Sequence, residues 1–146
     1  MEPTVGAPVH GEKMVLVCDD TMSIRRLLRI NLELEGFEVI EACDGAAALL
    51  VLQGLDGSGR LPGAIVLDAQ MSPRDGWWAL ERIRSMPSLD GIPIVMATAI
   101  TAFGDPSAMQ ARGIDACVQK PFDPDVLVEL IDGFVREGRT FVSPMR

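Results

Sequence analysis

The sequence predicts an α/β domain built on a five-stranded parallel sheet that carries helices on both faces. Short apolar runs alternate five times along the chain with helical patterns, an order typical of right-handed crossovers between parallel strands. The run at 64–68 places four apolar residues directly before Asp68, which suits a strand buried on both faces. Polar side chains also stand at the ends of several of these runs, where a parallel sheet forms its ligand sites.

The first half of the chain holds three of the predicted strands. Residues 14–18 form the first, and Thr21 or Ser23 can cap the helix that follows. That helix shows one broad apolar face opposite three arginines; the apolar residues are Ile24, Leu27, Leu28, Ile30, Leu32 and Leu34, and the arginines are Arg25, Arg26 and Arg29. The charged run 37–41 predicts a strand near the sheet edge. A helix over 45–55 and a flexible loop over 56–60 lead to the third strand. The loop follows a helix and lacks a Lys-Ser/Thr ending, which argues against a phosphate-binding loop.

The second half continues the alternation. We expect a helix over about 77–86, in which one of Trp77 and Trp78 points inward and the other is partly exposed. A fourth strand covers 92–97 and ends at Thr98, and a fifth covers 116–119 and ends at Lys120. Asp-Pro pairs at 105–106 and 123–124 predict capped helices that end near 113 and 137. We therefore divide the chain into a flexible arm (1–13), one domain (14–137) and a tail (138–146).

Composition narrows the classes of function. The net charge of −8 argues against direct binding to nucleic acid or to anionic membranes. Cys18, Cys43 and Cys117 lack the spacing of metal ligands and are expected to be reduced thiols. With no signal peptide and no apolar run long enough to cross a membrane, we expect a cytoplasmic protein.

Five polar residues at strand ends form the candidate site: Asp19, Asp20, Asp68, Thr98 and Lys120. Taken singly, each has an ordinary interpretation as a cap, a turn residue or a surface charge. Because carboxyl ends of parallel strands meet at one edge, the five are expected to converge. Three carboxylates without His or Cys indicate Mg²⁺, with Mn²⁺ as the alternative ion. A nucleophilic Asp68 between the metal and Lys120, with a hydroxyl at Thr98, is suited to accept a phosphoryl group.

Several short motifs occur together in a specific order. They are the segments 17–20 (VCDD), 66–68 (VLD), 75–76 (DG), 97–99 (ATA) and 120–122 (KPF). With them the sequence resembles, over about residues 13–137, the receiver domain of bacterial two-component response regulators. The resemblance implies a flavodoxin-like three-layer sandwich with strand order 2-1-3-4-5 and a cis Lys120-Pro121 bond.

The resemblance also implies roles for the site residues. Asp68 would accept a phosphoryl group from the phosphohistidine of a sensor histidine kinase or a phosphotransfer protein. Asp20, Asp68 and the backbone carbonyl of Gln70 would bind Mg²⁺ directly, and Asp19 would bind it through water. Lys120 would contact the phosphoryl oxygens and Thr98 would turn inward. Such a domain catalyses only its own phosphorylation and dephosphorylation, and signals through the surface of its fourth helix, fifth strand and fifth helix.

Three positions depart from the pattern of that family. Cys117 stands where relatives carry an aromatic switch residue, and Ser72 separates Met71 from Pro73 where relatives have Met-Pro. Ile100, two residues after Thr98, replaces a polar or charged side chain and with Gln70 would border the path of attacking water. We hypothesise that Ile100 slows hydrolysis of the phosphoaspartate.

Alternative functions remain open from the residues alone. One is an interaction module of the same fold that is never phosphorylated; the intact acidic residues argue against it, and the cysteine at position 117 keeps it open. A second is an aspartyl-nucleophile phosphatase, although position 70 is Gln where that chemistry usually has a second carboxylate. A third, a flavodoxin-like cofactor binder, lacks a phosphate-cradling loop. A downstream protein partner is expected, and a homodimer is possible.

Overall fold

The computed structural model describes residues 13–98 and 105–142, which contain five strands and five helices in strict alternation. The elements are β1 (Met14–Cys18), α1 (Met22–Leu34), β2 (Glu38–Ala42), α2 (Gly45–Ser58), β3 (Ala64–Asp68), α3 (Gly76–Arg84), β4 (Ile94–Thr98), α4 (Pro106–Arg112), β5 (Ala116–Gln119) and α5 (Pro124–Glu137). The predicted α/β class is therefore confirmed. Within the described residues, no helix has the length and apolar character needed to cross a membrane.

The five strands form one parallel sheet in the order β2-β1-β3-β4-β5, as the resemblance implies. Alternate residues of each strand face opposite layers, because side chains in a strand point to the two faces in turn. Ile65 and Leu67 of β3 pack in the core beneath α2, α3 and α4, while Ala64 and Val66 pack beneath α1 and α5. The two cores make the three-layer sandwich, with β2 at one edge as predicted.

Aspartate caps start four of the five helices. The side chains of Asp44, Asp75, Asp105 and Asp123 accept backbone N–H groups of the first turn of α2, α3, α4 and α5. Thr21, one of the two predicted caps of α1, occupies the N-cap position, but its hydroxyl makes no capping hydrogen bond. Its carbonyl instead accepts the N–H groups of Ile24 and Arg25.

Two local predictions about helices are corrected by the structure. Of the six apolar residues assigned to one face of α1, only Leu28 and Leu32 are buried, and Leu34 is 77% exposed. The apolar stripe is wider than the core it meets, so Leu27 and Ile30 are also exposed. The loop predicted at 56–60 is helical as far as Ser58, because α2 continues until Gly59 adopts a left-handed conformation (φ 83°) that glycine permits.

Two of the three arginines of α1 form ion pairs with the neighbouring strand β2. Arg25 and Arg29 both bind the Glu41 carboxylate on β2, at 2.9 and 2.6 Å. The hydrogen bond from Arg29, with help from Arg25, outweighs burial and lowers the pKa of Glu41. α1 is thus attached to the edge strand by charge, in addition to its apolar contacts.

A buried ionic cluster lies at the start of β5. Asp115, 3% exposed, accepts hydrogen bonds from Arg84 (2.9 Å), from Arg139 (3.0 Å) and from the N–H of Ile94 (2.9 Å). Residues of the predicted tail therefore contact the domain, and the N–H of Val142 donates to the Asp115 carbonyl at 2.7 Å. Burial, with the charge of Arg139, lowers the pKa of Arg84 to about 10, which leaves it charged at neutral pH.

Candidate functional site

The carboxyl ends of β1 and β3, which are neighbours in the sheet, bring three acidic side chains together. Asp19 and Asp20 follow β1, Asp68 ends β3, and one carboxylate oxygen of each lies within 4.8 Å of the others. Asp19 and Asp68 are buried, whereas Asp20 is exposed. The convergence predicted for these residues is therefore present, with one carboxylate at the solvent side.

Lys120 places a positive charge between the two buried carboxylates. Its Nζ lies 2.8 Å from Oδ2 of Asp19, which is 101 residues away in sequence, and 3.1 Å from Oδ2 of Asp68. Its backbone N–H donates to the carbonyl of Thr98 at 2.7 Å, which fixes the loop after β5 against the end of β4. The bond that follows, Lys120-Pro121, is cis as the resemblance implies.

Burial and opposing charges set the proton affinities in the pocket. Burial raises the pKa of Asp68 and the charge of Asp19 adds to this, while the N–H of Gln70 and the ammonium of Lys120 oppose it. Burial of the Lys120 ammonium disfavours its charge, but the hydrogen bonds and charges of Asp19 and Asp68 outweigh this effect and raise its pKa. Lys120 therefore stays protonated at neutral pH.

The oxygen donors of this pocket fit a hard divalent cation. One oxygen of Asp19 accepts the N–H of Thr21 at 2.9 Å, and one of Asp68 accepts that of Gln70 at 3.1 Å. These bonds orient the carboxylates and leave acceptor capacity on each. Three carboxylates and one ammonium carry a net charge of about −2, which a Mg²⁺ ion would balance. The predicted ligand role of the Gln70 carbonyl stays a prediction.

An open cavity of about 460 Å³ adjoins the acidic cluster. It is lined by Asp20, Ala69, Gln70, Met71, Ser72, Asp75 and Trp77. Helix α3 starts close to this cavity because Gly76 has no side chain: a Cβ at this position would collide with the carbonyl oxygen of Asp68. The Asp75-Gly76 motif thus serves both to cap α3 and to let it approach the phosphoacceptor candidate.

Sequence reasoning missed the position of Trp77. The two tryptophans were expected to divide between core and solvent, and this is wrong, because both are half-buried. Arg112 of α4 lies over the Trp77 ring, while Arg74 and Arg82 lie over Trp78. The spacing of four residues from Arg74 and Arg82 to Trp78 is a signal that the sequence carries, but no local spacing links Arg112 to Trp77.

Of the remaining predicted site residues, the structure describes Thr98 and Cys117. Thr98 is buried at the end of β4, beside the strand that carries Asp68. Cys117 is buried under α4, with its Sγ 3.2 Å from Met109 Sδ, and burial raises the pKa of its thiol to about 11. The disposition of Ile100 lies outside the described residues. All three cysteines are free, and Cys43 is exposed.

Curated relatives match most of this chain. A probable transcriptional regulator ycf27 of Cyanophora paradoxa is 37% identical over 126 residues, which are 86% of this chain and 49% of the relative. The DNA-binding dual master transcriptional regulator RpaA of Synechocystis is 30% identical over 122 residues, 84% of this chain and 48% of that protein. This chain thus spans about half the length of the curated relatives it matches.

Solved structures give the same assignment. The chemotaxis protein CheY4 of Vibrio cholerae superposes with a TM-score of 0.73 at 28% identity, covering 84% of this chain and 98% of that one. A putative response regulator from Chloroflexus aurantiacus gives 0.69 at 31% identity, covering 85% and 98%. A family model described as the response regulator receiver domain matches residues 15–132. Since that match includes every strand and the acidic pocket, the chain belongs to the response regulator receiver domain family.

Proposed function

We propose that this domain is a phosphorylation-dependent switch in which Asp68 accepts a phosphoryl group from the phosphohistidine of a sensor histidine kinase or a phosphotransfer protein. The observation that carries the proposal is the Lys120 ammonium set between two buried carboxylates, beside the exposed Asp20. A carboxylate oxygen of Asp68 forms the new bond to phosphorus, the phosphorus–nitrogen bond breaks, and the imidazole leaves with the electron pair.

Each residue of the pocket has a part in this transfer. Asp19, Asp20, Asp68 and the Gln70 carbonyl would hold Mg²⁺, which when bound supplies positive charge for the phosphoryl oxygens. Lys120 neutralises charge that grows on the transferred group, because its ammonium is already held beside Asp68. The N–H of Gln70 keeps the Asp68 carboxylate oriented while the other oxygen reacts.

We infer that the output passes through α4, β5 and α5. The Thr98 carbonyl and the Lys120 N–H join the end of β4 to the loop that begins α5, so a change at the phosphoryl group reaches both elements. Phosphorylation adds about −1.5 to −2 charges, a perturbation large enough to shift a conformational equilibrium. Met109 is the one buried residue of α4, which is consistent with a weakly attached helix.

The transcriptional roles in the names of the relatives belong to proteins about twice as long as this chain. For this chain we propose only the receiver function, and we propose that the downstream partner of residues 13–142 is a protein. The net charge of −8 supports this, because free phosphate backbones repel such a surface.

Mass spectrometry after incubation with acetyl phosphate and Mg²⁺ tests the proposal. The wild-type chain should gain one phosphoryl group, and Asp68→Asn should gain none. Asp75→Asn is the matched control: it alters a neighbouring carboxylate that lines the same cavity, and Asn keeps the helix cap. An unlabelled wild-type chain, or equal labelling of Asp68→Asn, would contradict the proposal and favour the non-phosphorylated interaction module.

A further inference from the structure

The indole of Trp77 contacts two parts of the molecule that the switch must connect. On one side it lines the cavity of about 460 Å³ together with Asp20 and Gln70. On the other side the guanidinium of Arg112, the last residue of α4, lies 4.3 Å from the centre of its ring. One half-buried side chain therefore adjoins both the acidic pocket and the helix expected to respond to it.

α4 has few attachments to the rest of the domain. It has seven residues, of which Met109 is buried against Cys117. Arg112 at its C-terminal end adds the contact with Trp77 and a long ion pair of 4.0 Å with the exposed Glu81. Because exposed ion pairs contribute little, the contact with the indole is the stronger of the two. The carbonyl of Gly113, which caps this end of α4, also accepts a hydrogen bond from Arg84 Nε at 2.9 Å, so loss of the indole contact would loosen the end of the helix without detaching it.

We propose that Trp77 couples occupancy of the acidic pocket to the position of α4, acting through Arg112. The inference rests on the proposed function, since it needs a phosphoryl group or its analogue at Asp68. A ligand that enters the cavity beside Asp20 changes the surroundings of the indole, and the ring in turn changes its contact with Arg112. Trp77 is a positioning residue in this scheme. Its aromatic ring is on α3, whereas Cys117 occupies the position on β5 where relatives carry an aromatic switch residue.

The coupling is tested by measuring hydrogen exchange of the α4 amides (residues 106–112) in the absence and in the presence of Mg²⁺ and beryllofluoride, a stable analogue of the phosphoryl group. We expect the analogue to change α4 exchange in the wild-type chain and in Trp77→Phe, which keeps an aromatic face. Trp77→Leu and Arg112→Gln should lose most of that change. The expected size is roughly 2- to 5-fold in the exchange rate, the range of a single cation–π contact at a site where the arginine is 46% exposed.

Trp78 provides the matched control, because it lies one residue along the same helix and is equally half-buried. Its ring lies 5.2 Å from Arg74 and 4.8 Å from Arg82 rather than beneath the cation of α4. Trp78→Leu should therefore keep the α4 response. Equal responses in Trp77→Leu and wild type, or equal loss in Trp77→Leu and Trp78→Leu, would overturn the inference.

Two further readouts separate this inference from the proposed function. Arg112→Gln, which does not line the cavity, should still be labelled by acetyl phosphate, so labelling with a lost α4 response supports the coupling role, whereas loss of labelling overturns it. An unlabelled wild-type chain overturns the proposed function, and the inference with it. The chain has two tryptophans, so Trp78→Phe leaves Trp77 as the sole indole. Its fluorescence should change on addition of Mg²⁺ and beryllofluoride, and an unchanged signal would also overturn the inference.

Discussion

Lys120→Met removes the charge that separates two buried carboxylates while keeping most of the side-chain volume. Carboxylate oxygens 4.8 Å apart repel by about 3.5 kcal/mol at an effective dielectric near 20, and this pocket holds three such groups within that distance. Removing one partner of a buried ion pair typically costs about 3–5 kcal/mol. We therefore expect the variant to lose about 3 kcal/mol of unfolding free energy at neutral pH without Mg²⁺.

The loss should depend on pH in a defined direction. Asp68 already has a raised pKa in the folded chain, from burial and from Asp19, and the variant raises it further because Lys120 opposed the shift. The folded state then binds a proton more tightly than the unfolded state, so stability falls as pH rises through the folded pKa of Asp68. Lys120→Met should approach wild-type stability as pH falls below the unfolded Asp pKa of about 3.9, where the carboxyl of Asp68 is mostly protonated in both states.

Metal binding and phosphoryl transfer should respond in opposite directions. With the ammonium gone, the pocket is more negative, so Mg²⁺ should bind at least as tightly and restore stability as its concentration exceeds the Kd. Labelling by acetyl phosphate should nevertheless slow by about a hundredfold, because Lys120 no longer neutralises the transferred group.

Urea unfolding with and without Mg²⁺, together with labelling rates, measures both effects. The chain offers a matched control, since its only other lysine is Lys13. Lys13→Met removes an exposed ammonium whose hydrogen bond goes to the Glu35 carbonyl, and it should leave labelling unchanged. If Lys120→Met bound Mg²⁺ much more weakly and was labelled at the normal rate, the electrostatic account of the pocket would be refuted.

Two further predictions concern stability. Asp115→Asn leaves the buried guanidinium of Arg84 without its carboxylate and should cost about 3–5 kcal/mol of unfolding free energy, measured with urea. Asp132→Asn is the control: it breaks an exposed ion pair with Arg136 and should cost less than about 1 kcal/mol. Equal losses in the two variants would contradict this interpretation. Glu41→Gln should cost about 1 kcal/mol at pH 7. Because the hydrogen bond from Arg29 lowers the folded pKa of Glu41, its stabilising effect is present above the unfolded pKa and is lost as pH falls through the folded pKa, so the difference from wild type should shrink in acid. A difference that does not shrink with falling pH would show that the charge of Glu41 is not its cause.

The sheet and the acidic pocket could be predicted because both depend on short-range patterns. A buried parallel strand needs an uninterrupted apolar run, and such runs marked β1, β3, β4 and β5 to within about two residues, whereas β2 was predicted from a charged run typical of an edge strand. The parallel arrangement then places residues at strand ends on one edge, whichever loops join them. Asp68 and Lys120 were therefore associated although they are far apart in sequence.

The features that the sequence did not reveal depend on contacts between helices and strands that are not adjacent in sequence. The wheel of α1 shows six apolar residues on one side, but the sheet and α5 cover only part of that side, so Leu34 is exposed. One partner of Arg29, Glu41, lies on another element, and no local pattern identifies such a pair. Trp77 was ambiguous for the same reason, because its surroundings are set by α4 and the cavity.

The two buried acidic sites of this chain show why charge balance marks the functional one. Asp115 is as buried as Asp68, but two guanidiniums and a backbone N–H compensate its single charge, so its cluster is complete within the protein. At the other end of the sheet, three carboxylates share one ammonium and keep a net charge of about −2. Folding alone would favour a neutral arrangement there, since unpaired buried charge is costly. This imbalance is tolerable where a cation from solution completes the charge balance. By this criterion Asp115 is a structural residue and Asp68 is the candidate phosphoacceptor.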